Sequence, residues 1–168
     1  MQTSAAGHAI PIFQRQLNAM LALLDKAEAH AKAREFPPDS FLTWRLAPDM
    51  LPFIDQIQRA SDIAMVCSAR LLGQSVKDRP EAPKSLEQCR QYILFALDSI
   101  ASVSSTLGDA NIPASITIGG PGEHQVVSAD EYMRHVALPH FFFHATITYG
   151  LLRQAGVAIG KADYLGQK

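Results

Sequence analysis

Two histidines four residues apart, His140 and His144, are the side chains whose types and spacing could serve a common chemical task. On a helix, positions four residues apart share one face, so both imidazoles can approach the same ligand. A catalytic zinc or nickel site would need these two nitrogens, a third protein ligand and an open position for water. The spacing therefore predicts a metal site, or else two structural histidines that are partly buried and hydrogen-bonded within the core.

Other catalytic constellations are incomplete in this sequence. Cys67 and Cys89 each fall inside a helical apolar pattern, so we interpret them as reduced core thiols rather than as a disulfide or a nucleophile. No Gly-x-Ser-x-Gly motif occurs, and the glycines between 119 and 122 lack the strand-to-helix context of a phosphate-binding loop. Arg45 and Arg70 could anchor an anion, although Arg70 in the last turn of a helix also suits the helix dipole.

Composition limits the classes of function. The chain has 168 residues, of which 48% are apolar and 18% charged, and its formal net charge is -1. This balance offers no basic face and argues against nucleic acid as a partner. No uninterrupted apolar run reaches the roughly 18 residues that a membrane span requires, and the first residues lack the pattern of a signal peptide. With the reduced thiols, these features predict a cytoplasmic protein without a membrane partner.

The elements that position the histidines are four amphipathic helices. Apolar spacing and start or stop signals predict helices near residues 10–35, 48–72, 85–106 and 129–155. Apolar residues alternate with a period of two on both sides of the glycines that follow Ile118. This pattern predicts a short β-hairpin near 115–127, between the third and fourth helices. We therefore expect an all-α four-helix bundle with this hairpin, formed by residues 1–168 as one domain.

Local signals refine this plan. Pro11 is expected in the first turn of the first helix, and Pro139 is expected to bend the fourth because it removes one backbone hydrogen bond. Capping boxes are predicted to begin at Ser85 and Ser128. The tail after Gly156 is too apolar for a free end, so we expect it to dock on the bundle.

Several segments together carry a family resemblance, and the run GKADYLG at 160–166 is the most distinctive of them. The others are LAPDMLPFIDQ at 46–56, ARLLG at 69–73, Leu138-Pro139, Phe143-His144, Tyr149, Leu152-Arg153 and Gly156. With these segments the chain resembles the DUF1993 family of uncharacterised proteins, a branch similar to the DinB/YfiT-like superfamily of four-helix bundles. The resemblance spans most of the chain, from the first helix to the tail.

The resemblance implies a DinB-like bundle, often a homodimer, in a superfamily whose metal-dependent members bind a divalent ion through three histidines. His140 and His144 occupy positions like those of the two histidines on the last helix. The third belongs on the second helix, but the sequence has no histidine between Pro48 and Gly73. Asp49, Gln56, Gln58 or Asp62 could supply an oxygen ligand there, and we take Gln56, Gln58, Asp49 and Tyr149 as candidate pocket residues.

Two functions from different classes remain open. One is a non-catalytic or small-ligand-binding homodimer in which both histidines are structural. The other is a divalent-metal-dependent enzyme with Zn or Ni at His140 and His144, or with His144 as a general base. In either case we expect the His144 ring to be at least half buried, beside His140, and to face the second helix near Gln56 and Gln58.

Overall fold

Four long helical segments and a small hairpin form the structure, as the sequence predicted. The computed structural model describes residues 5–76, 78–107, 112–119, 122 and 124–167. The first three segments are α1 (Ala5–Ala33), α2 (Phe53–Leu71) and α3 (Leu86–Leu107). The fourth consists of α4 (Ala129–Tyr132), a π-helical turn (Met133–Ala137) and α5 (Leu138–Gln154). The shorter elements are a 3-10 helix (Pro38–Phe41), β1 (Ser115–Ile118), β2 (Gln125–Ser128) and α6 (Lys161–Tyr164).

The core lies where the apolar stripes of the helices meet. On α2 the predicted stripe is buried from Phe53 to Leu71, and on α3 Cys89, Ile93 and Ala96 are completely buried. Phe13 of α1 packs edge to face on Phe141 of α5, with ring centroids 4.8 Å apart. Burying these faces in one shared cluster provides the main driving force for the bundle.

Two predicted details of the first two helices are wrong. The first helix begins at Ala5 and runs through Pro11, so this proline lies inside the helix rather than in its first turn. The second helix begins at Phe53 rather than near residue 48, because Pro52 is the extended N-cap residue (φ −70°, ψ 166°) and disfavours helical backbone at the residue before it. The preceding link buries Phe41, whereas Leu46 is 55% exposed.

The fourth helical segment is irregular close to Pro139, where the sequence predicted a bend. Pro139 lies in the first turn of α5, immediately after the π-helical turn 133–137. Because Pro139 has no N–H, the carbonyl of His135 cannot receive its usual α-helical hydrogen bond, and a wider turn accommodates this loss. The irregularity near Pro139 is therefore a π-helical turn.

The N-cap half of both predicted capping boxes is confirmed, whereas the Gln88 side chain accepts from the N–H of Lys84 at 2.7 Å rather than from that of Ser85. The Ser85 hydroxyl accepts a hydrogen bond from the N–H of Gln88 at 3.1 Å, and the Ser128 hydroxyl accepts one from Glu131 at the same distance. β1 and β2 pair antiparallel, with Ile116 opposite Val127. The predicted end of the third helix near Gly108 and the turn residues Gly120 and Pro121 lie outside the described residues.

The C-terminal tail is docked on α1, as expected. Arg15 and Gln16 each donate a hydrogen bond of 3.0 Å to a tail carbonyl, those of Leu165 and Tyr164 respectively. The buried Asp163 carboxylate pairs with Lys26 and also accepts a hydrogen bond from the N–H of Gly160 at 2.6 Å. Much of the distinctive GKADYLG segment therefore has a structural role, since it closes one side of the bundle.

Candidate functional site: a cleft beside His144

His144 lies on the face of α5 that packs against α2. Its side chain is buried, with 7% of the residue exposed, and its ring centroid is 5.5 Å from that of His140. His140 itself is exposed. The prediction that the His144 ring is buried, beside His140 and facing α2, is therefore confirmed.

Two hydrogen bonds fix the orientation of the His144 ring. Nδ1 of His144 lies 2.7 Å from Oε1 of Gln56, and Nε2 of Gln56 donates to the carbonyl of Leu51 at 2.9 Å. Because the carbonyl can only accept, the Gln56 amide nitrogen must face Leu51, and the amide oxygen is then left to accept from the imidazole. Nδ1 of His144 therefore carries the hydrogen, and in the neutral ring Nε2 is an acceptor.

The environment of His144 keeps its ring neutral. Burial is the main cause that lowers the pKa of His144 to about 4, and the nearby charges of His140 and Arg59 add to the effect. At neutral pH the ring therefore presents a lone pair at Nε2. Among the described residues, none donates a hydrogen bond to that nitrogen.

His144 lines a cleft of about 550 Å³ between α2 and the fourth helical segment. Its α2 wall is one helical face, since residues 59, 62, 63, 66 and 70 recur at spacings of three and four. The middle of the cleft is mainly apolar. The lining residues are Leu51, Arg59, Asp62, Ile63, Val66, Arg70, Arg79, Tyr132, Val136, Ala137, His140 and His144.

A buried carboxylate stands at the back of this cleft. Asp62 is 7% exposed and accepts a hydrogen bond from the hydroxyl of Tyr92 at 2.8 Å, while Nη1 of Arg79 lies 3.7 Å from the same oxygen. Burial and the contact with Asp62 raise the pKa of Tyr92 to about 12, so Tyr92 stays protonated as the donor. Asp62 is thus already paired and held in place.

The far end of the cleft from His144 is formed by Arg70 and Tyr132. Nη1 of Arg70 donates to the Tyr132 hydroxyl oxygen at 3.0 Å, and the guanidinium carbon is 5.4 Å from the centre of the ring. Arg70 forms no ion pair with any carboxylate of the described residues. Burial raises the pKa of Tyr132, so the hydroxyl keeps its hydrogen.

Comparison with known proteins identifies the family. Residues 7–165 match the sequence model of DUF1993, described as a domain of unknown function. The chain belongs to the DUF1993 family. The resemblance inferred from its sequence segments is therefore confirmed.

A solved structure shares the fold of this DUF1993 chain. The chain is similar to a DinB family member protein from Shewanella denitrificans, at 34% sequence identity and a TM-score of 0.80. The match covers 93% of this chain and 88% of the other. No curated protein matches the chain. The fold is thus that of a DinB-like bundle, and in the part of the chain that the structure describes no helix is both long and apolar enough to cross a membrane.

The DUF1993 chain brings together some of the sequence-predicted site residues and separates others. His140 and His144 line the cleft, and Gln56 supports His144 from behind. Three other candidates are not part of the cleft lining. Asp49 is exposed in the link before α2, Gln58 is partly buried on α2 outside the cleft lining, and the Tyr149 ring lies 5.4 Å from Tyr164 of the docked tail.

A three-ligand metal site does not fit the described residues. Two imidazoles share the cleft, but among residues 5–76, 78–107, 112–119, 122 and 124–167 no group of three or more His, Cys, Asp and Glu side chains is placed to hold a metal ion. Asp62, the carboxylate in the same cleft, is already bonded to Tyr92 and Arg79. We therefore derive no catalytic step through a metal.

The sequence suggested Arg45 and Arg70 as anchors for an anion; Arg70 lines the cleft, Arg45 does not, and the contribution of Arg59 was missed. Arg59 and Arg70 lie eleven residues apart, which is three helical turns and therefore one face of α2. The sequence spacing could therefore have predicted that both arginines share a face of α2. The participation of Arg79 and Tyr132 could not be predicted from the sequence. Arg79 comes from a loop and Tyr132 from the segment beside the π-turn, and only the tertiary fold brings both to α2.

Proposed function

We propose that this DUF1993 protein binds a small organic molecule in the cleft between α2 and α5. The observation that carries the proposal is the neutral, oriented imidazole of His144, which lines a cleft of about 550 Å³. That volume is within the range of small-molecule sites, which are mostly apolar with a few fixed polar groups. Ile63, Val66 and Val136 supply the apolar walls here, and Nε2 of His144 supplies a fixed acceptor.

Pre-organisation of His144 supports binding rather than a purely structural role. A histidine kept only for packing would be satisfied by its bond to Gln56. The second nitrogen instead has no partner among the described residues and belongs to a ring that lines the cleft. A ligand hydroxyl or N–H that donates to Nε2 would complete the hydrogen bonding without any rotation of the ring, so little ordering cost would oppose binding.

The test uses phenol, hexan-1-ol and hexanamide as probes and backbone amide shifts as the readout. We expect at least one probe to shift the amides of Ile63, Val66 and Val136 saturably, because these residues line the cleft. His144→Phe should weaken the best donor probe by roughly 10-fold, the value of one buried hydrogen bond. His124→Phe is the control, since His124 is exposed and does not line the cleft. If no probe moves these amides, the proposal is wrong.

The second candidate is a divalent-metal-dependent enzyme that uses His140 and His144. One observation favours it: a neutral imidazole whose Nδ1–H is bonded to an oxygen is the arrangement found in metal-ligating histidines. Metal content of protein purified without an affinity tag, together with added Zn or Ni, tests it. A metal ligand predicts that His144→Ala loses bound metal and metal-induced stabilisation. A structural or ligand-binding imidazole predicts a lower melting temperature with unchanged metal content.

We also propose that the protein is a cytoplasmic homodimer. Phe143 is 52% exposed on α5 and lies beside Pro139 and Val136, at the edge of the cleft that Val136 also lines. An exposed aromatic side chain next to further apolar groups is typical of an association surface. The two cysteines support a reducing compartment, since both are free and buried.

A further inference from the structure

The Arg70 end of the cleft has the features of an anion site. The Arg70 guanidinium is half-buried and held against Tyr132, so its position is fixed before any ligand arrives. One of its nitrogens donates to the Tyr132 oxygen, and the guanidinium group has further N–H donors. Because Arg70 has no carboxylate partner among the described residues, its charge is not neutralised there.

Tyr132 adds a second donor at the same place. Its oxygen accepts from Arg70, so its own O–H hydrogen is available to a group in the cleft. A guanidinium and a hydroxyl side by side match the two oxygens of one carboxylate, for which the planar guanidinium fork is well suited. The adjoining Val66 and Val136 side chains then contact an apolar chain.

We infer that the ligand is a small organic acid whose carboxylate binds Arg70 and Tyr132 and whose apolar body lies along Val66 and Ile63. The inference rests on the proposed binding function of the cleft and names the ligand class. A singly charged group fits better than a phosphate, because Arg79 is already paired with Asp62 and the Arg70 guanidinium supplies one positive charge at this end. Arg59 lies three turns along α2, about 16 Å away, and does not share this end.

The experiment compares hexanoate with hexanamide, two probes that differ in charge and share their apolar chain. Binding is followed by the backbone amide shifts of Val66 and Val136. We expect hexanoate to bind at least about 10-fold more tightly than hexanamide, because hydrogen bonds to charged groups are the stronger ones. Arg70→Gln should remove this preference, and Arg70→Lys should keep only part of it, since the ammonium lacks the planar fork.

Control variants separate a local effect from a general loss of folding. Tyr132→Phe keeps the ring and loses one donor, so it should weaken hexanoate by a few-fold and leave hexanamide unchanged. Arg134→Gln removes an exposed arginine that pairs with Asp130 and lies outside the cleft, so it should change neither probe. Circular dichroism of each variant verifies the fold.

The outcomes distinguish this inference from the proposed function. If hexanoate and hexanamide bind equally and Arg70→Gln changes neither, the cleft is a ligand site but the acid class is wrong. If inorganic phosphate displaces hexanoate at equal or lower concentration in an Arg70-dependent way, the carboxylate assignment is overturned in favour of a phosphate. If hexanoate and hexanamide leave the amide signals of the cleft unchanged, while phenol and hexan-1-ol shift them, the acid inference is wrong and the proposed binding function stands. If none of the four organic probes shifts the amide signals of the cleft, both the binding function and the acid inference are wrong.

Discussion

The Nδ1 atom of His144 on α5 lies 2.7 Å from the amide oxygen of Gln56 on α2. Gln56 is almost completely buried, and its amide nitrogen is held by the Leu51 carbonyl at 2.9 Å. The ring orientation of His144 therefore depends on the backbone just before Pro52, where α2 is prevented from starting earlier. The two hydrogen bonds of Gln56 thus connect the start of α2 to the His144 ring on α5.

The stability of the protein is expected to fall as the pH falls below about 6.5. The folded-state pKa of His144 is lowered to about 4, whereas the unfolded chain takes up this proton near 6.5, so acid favours the unfolded state. The contribution of His144 to the free energy of unfolding is up to about 3 kcal/mol. It is fully present above pH 6.5 and is lost progressively towards pH 4. Urea unfolding between pH 7.5 and 4.5 measures it.

The control for this pH dependence is His144→Gln. That variant lacks the titrating ring, so its unfolding free energy should change less over the same pH range. His124→Gln, which alters an exposed histidine, should retain the wild-type slope. Equal slopes in wild type and His144→Gln would show that His144 does not titrate abnormally.

Gln56→Leu is expected to lower the free energy of unfolding by about 1–3 kcal/mol. The substitution keeps a side chain of similar size but makes it apolar, so the Nδ1–H of His144 and the Leu51 carbonyl lose their partner. Gln154→Leu is the matched control, since Gln154 is exposed at the end of α5. A Gln56→Leu variant as stable as wild type would contradict the importance of this hydrogen-bond pair.

Both cysteine thiols should resist a disulfide reagent such as DTNB while the protein is folded. Burial is the main cause that raises the pKa of Cys67 and of Cys89 to about 12, so the reactive thiolate is scarce, and both side chains are inaccessible. In denaturant, both thiols should react. Fast reaction of either thiol in the native protein would show that α2 or α3 opens locally.

Particular residues show how far the sequence could predict this structure. The four helical segments were predictable because stripes such as Phe53, Ile57 and Ala60 follow the helical period. The burial of His144 near Gln56 was also predictable, since a helix with aromatic residues round most of its circumference must be covered on several sides. The late start of α2 was not, because the choice of Pro52 as N-cap rather than first-turn residue depends on the conformation of the link before it.

The remaining parts of the site depend on tertiary contacts that no local pattern encodes. Tyr149 is on the same helix as His144, yet it packs on Tyr164 because the docked tail covers that side of α5. Arg79 reaches Asp62 from a loop without periodicity. Such contacts are set by how helices and connections pack, so their prediction needs the assembled fold.

A homodimer is expected at micromolar concentration, and Phe143 is the residue expected to maintain it. Phe143→Glu places a charge on the exposed apolar face of α5 and should convert the dimer to a monomer in sedimentation equilibrium. Val126→Glu is the control, because Val126 is more exposed but lies on β2 rather than on that helical face. A wild-type protein that sediments as a monomer of 18.3 kDa would contradict the dimer.

The most direct test of the central claim is the ring ¹⁵N spectrum of His144, recorded at pH 7 with and without hexan-1-ol. Our account predicts a neutral ring with the hydrogen on Nδ1 and a lone pair on Nε2, and a selective shift of Nε2 when the alcohol donates a hydrogen bond to it. A charged imidazole at pH 7, a ring protonated on Nε2, or an Nε2 signal that hexan-1-ol leaves unchanged would contradict the claim that His144 is the fixed acceptor of a binding cleft.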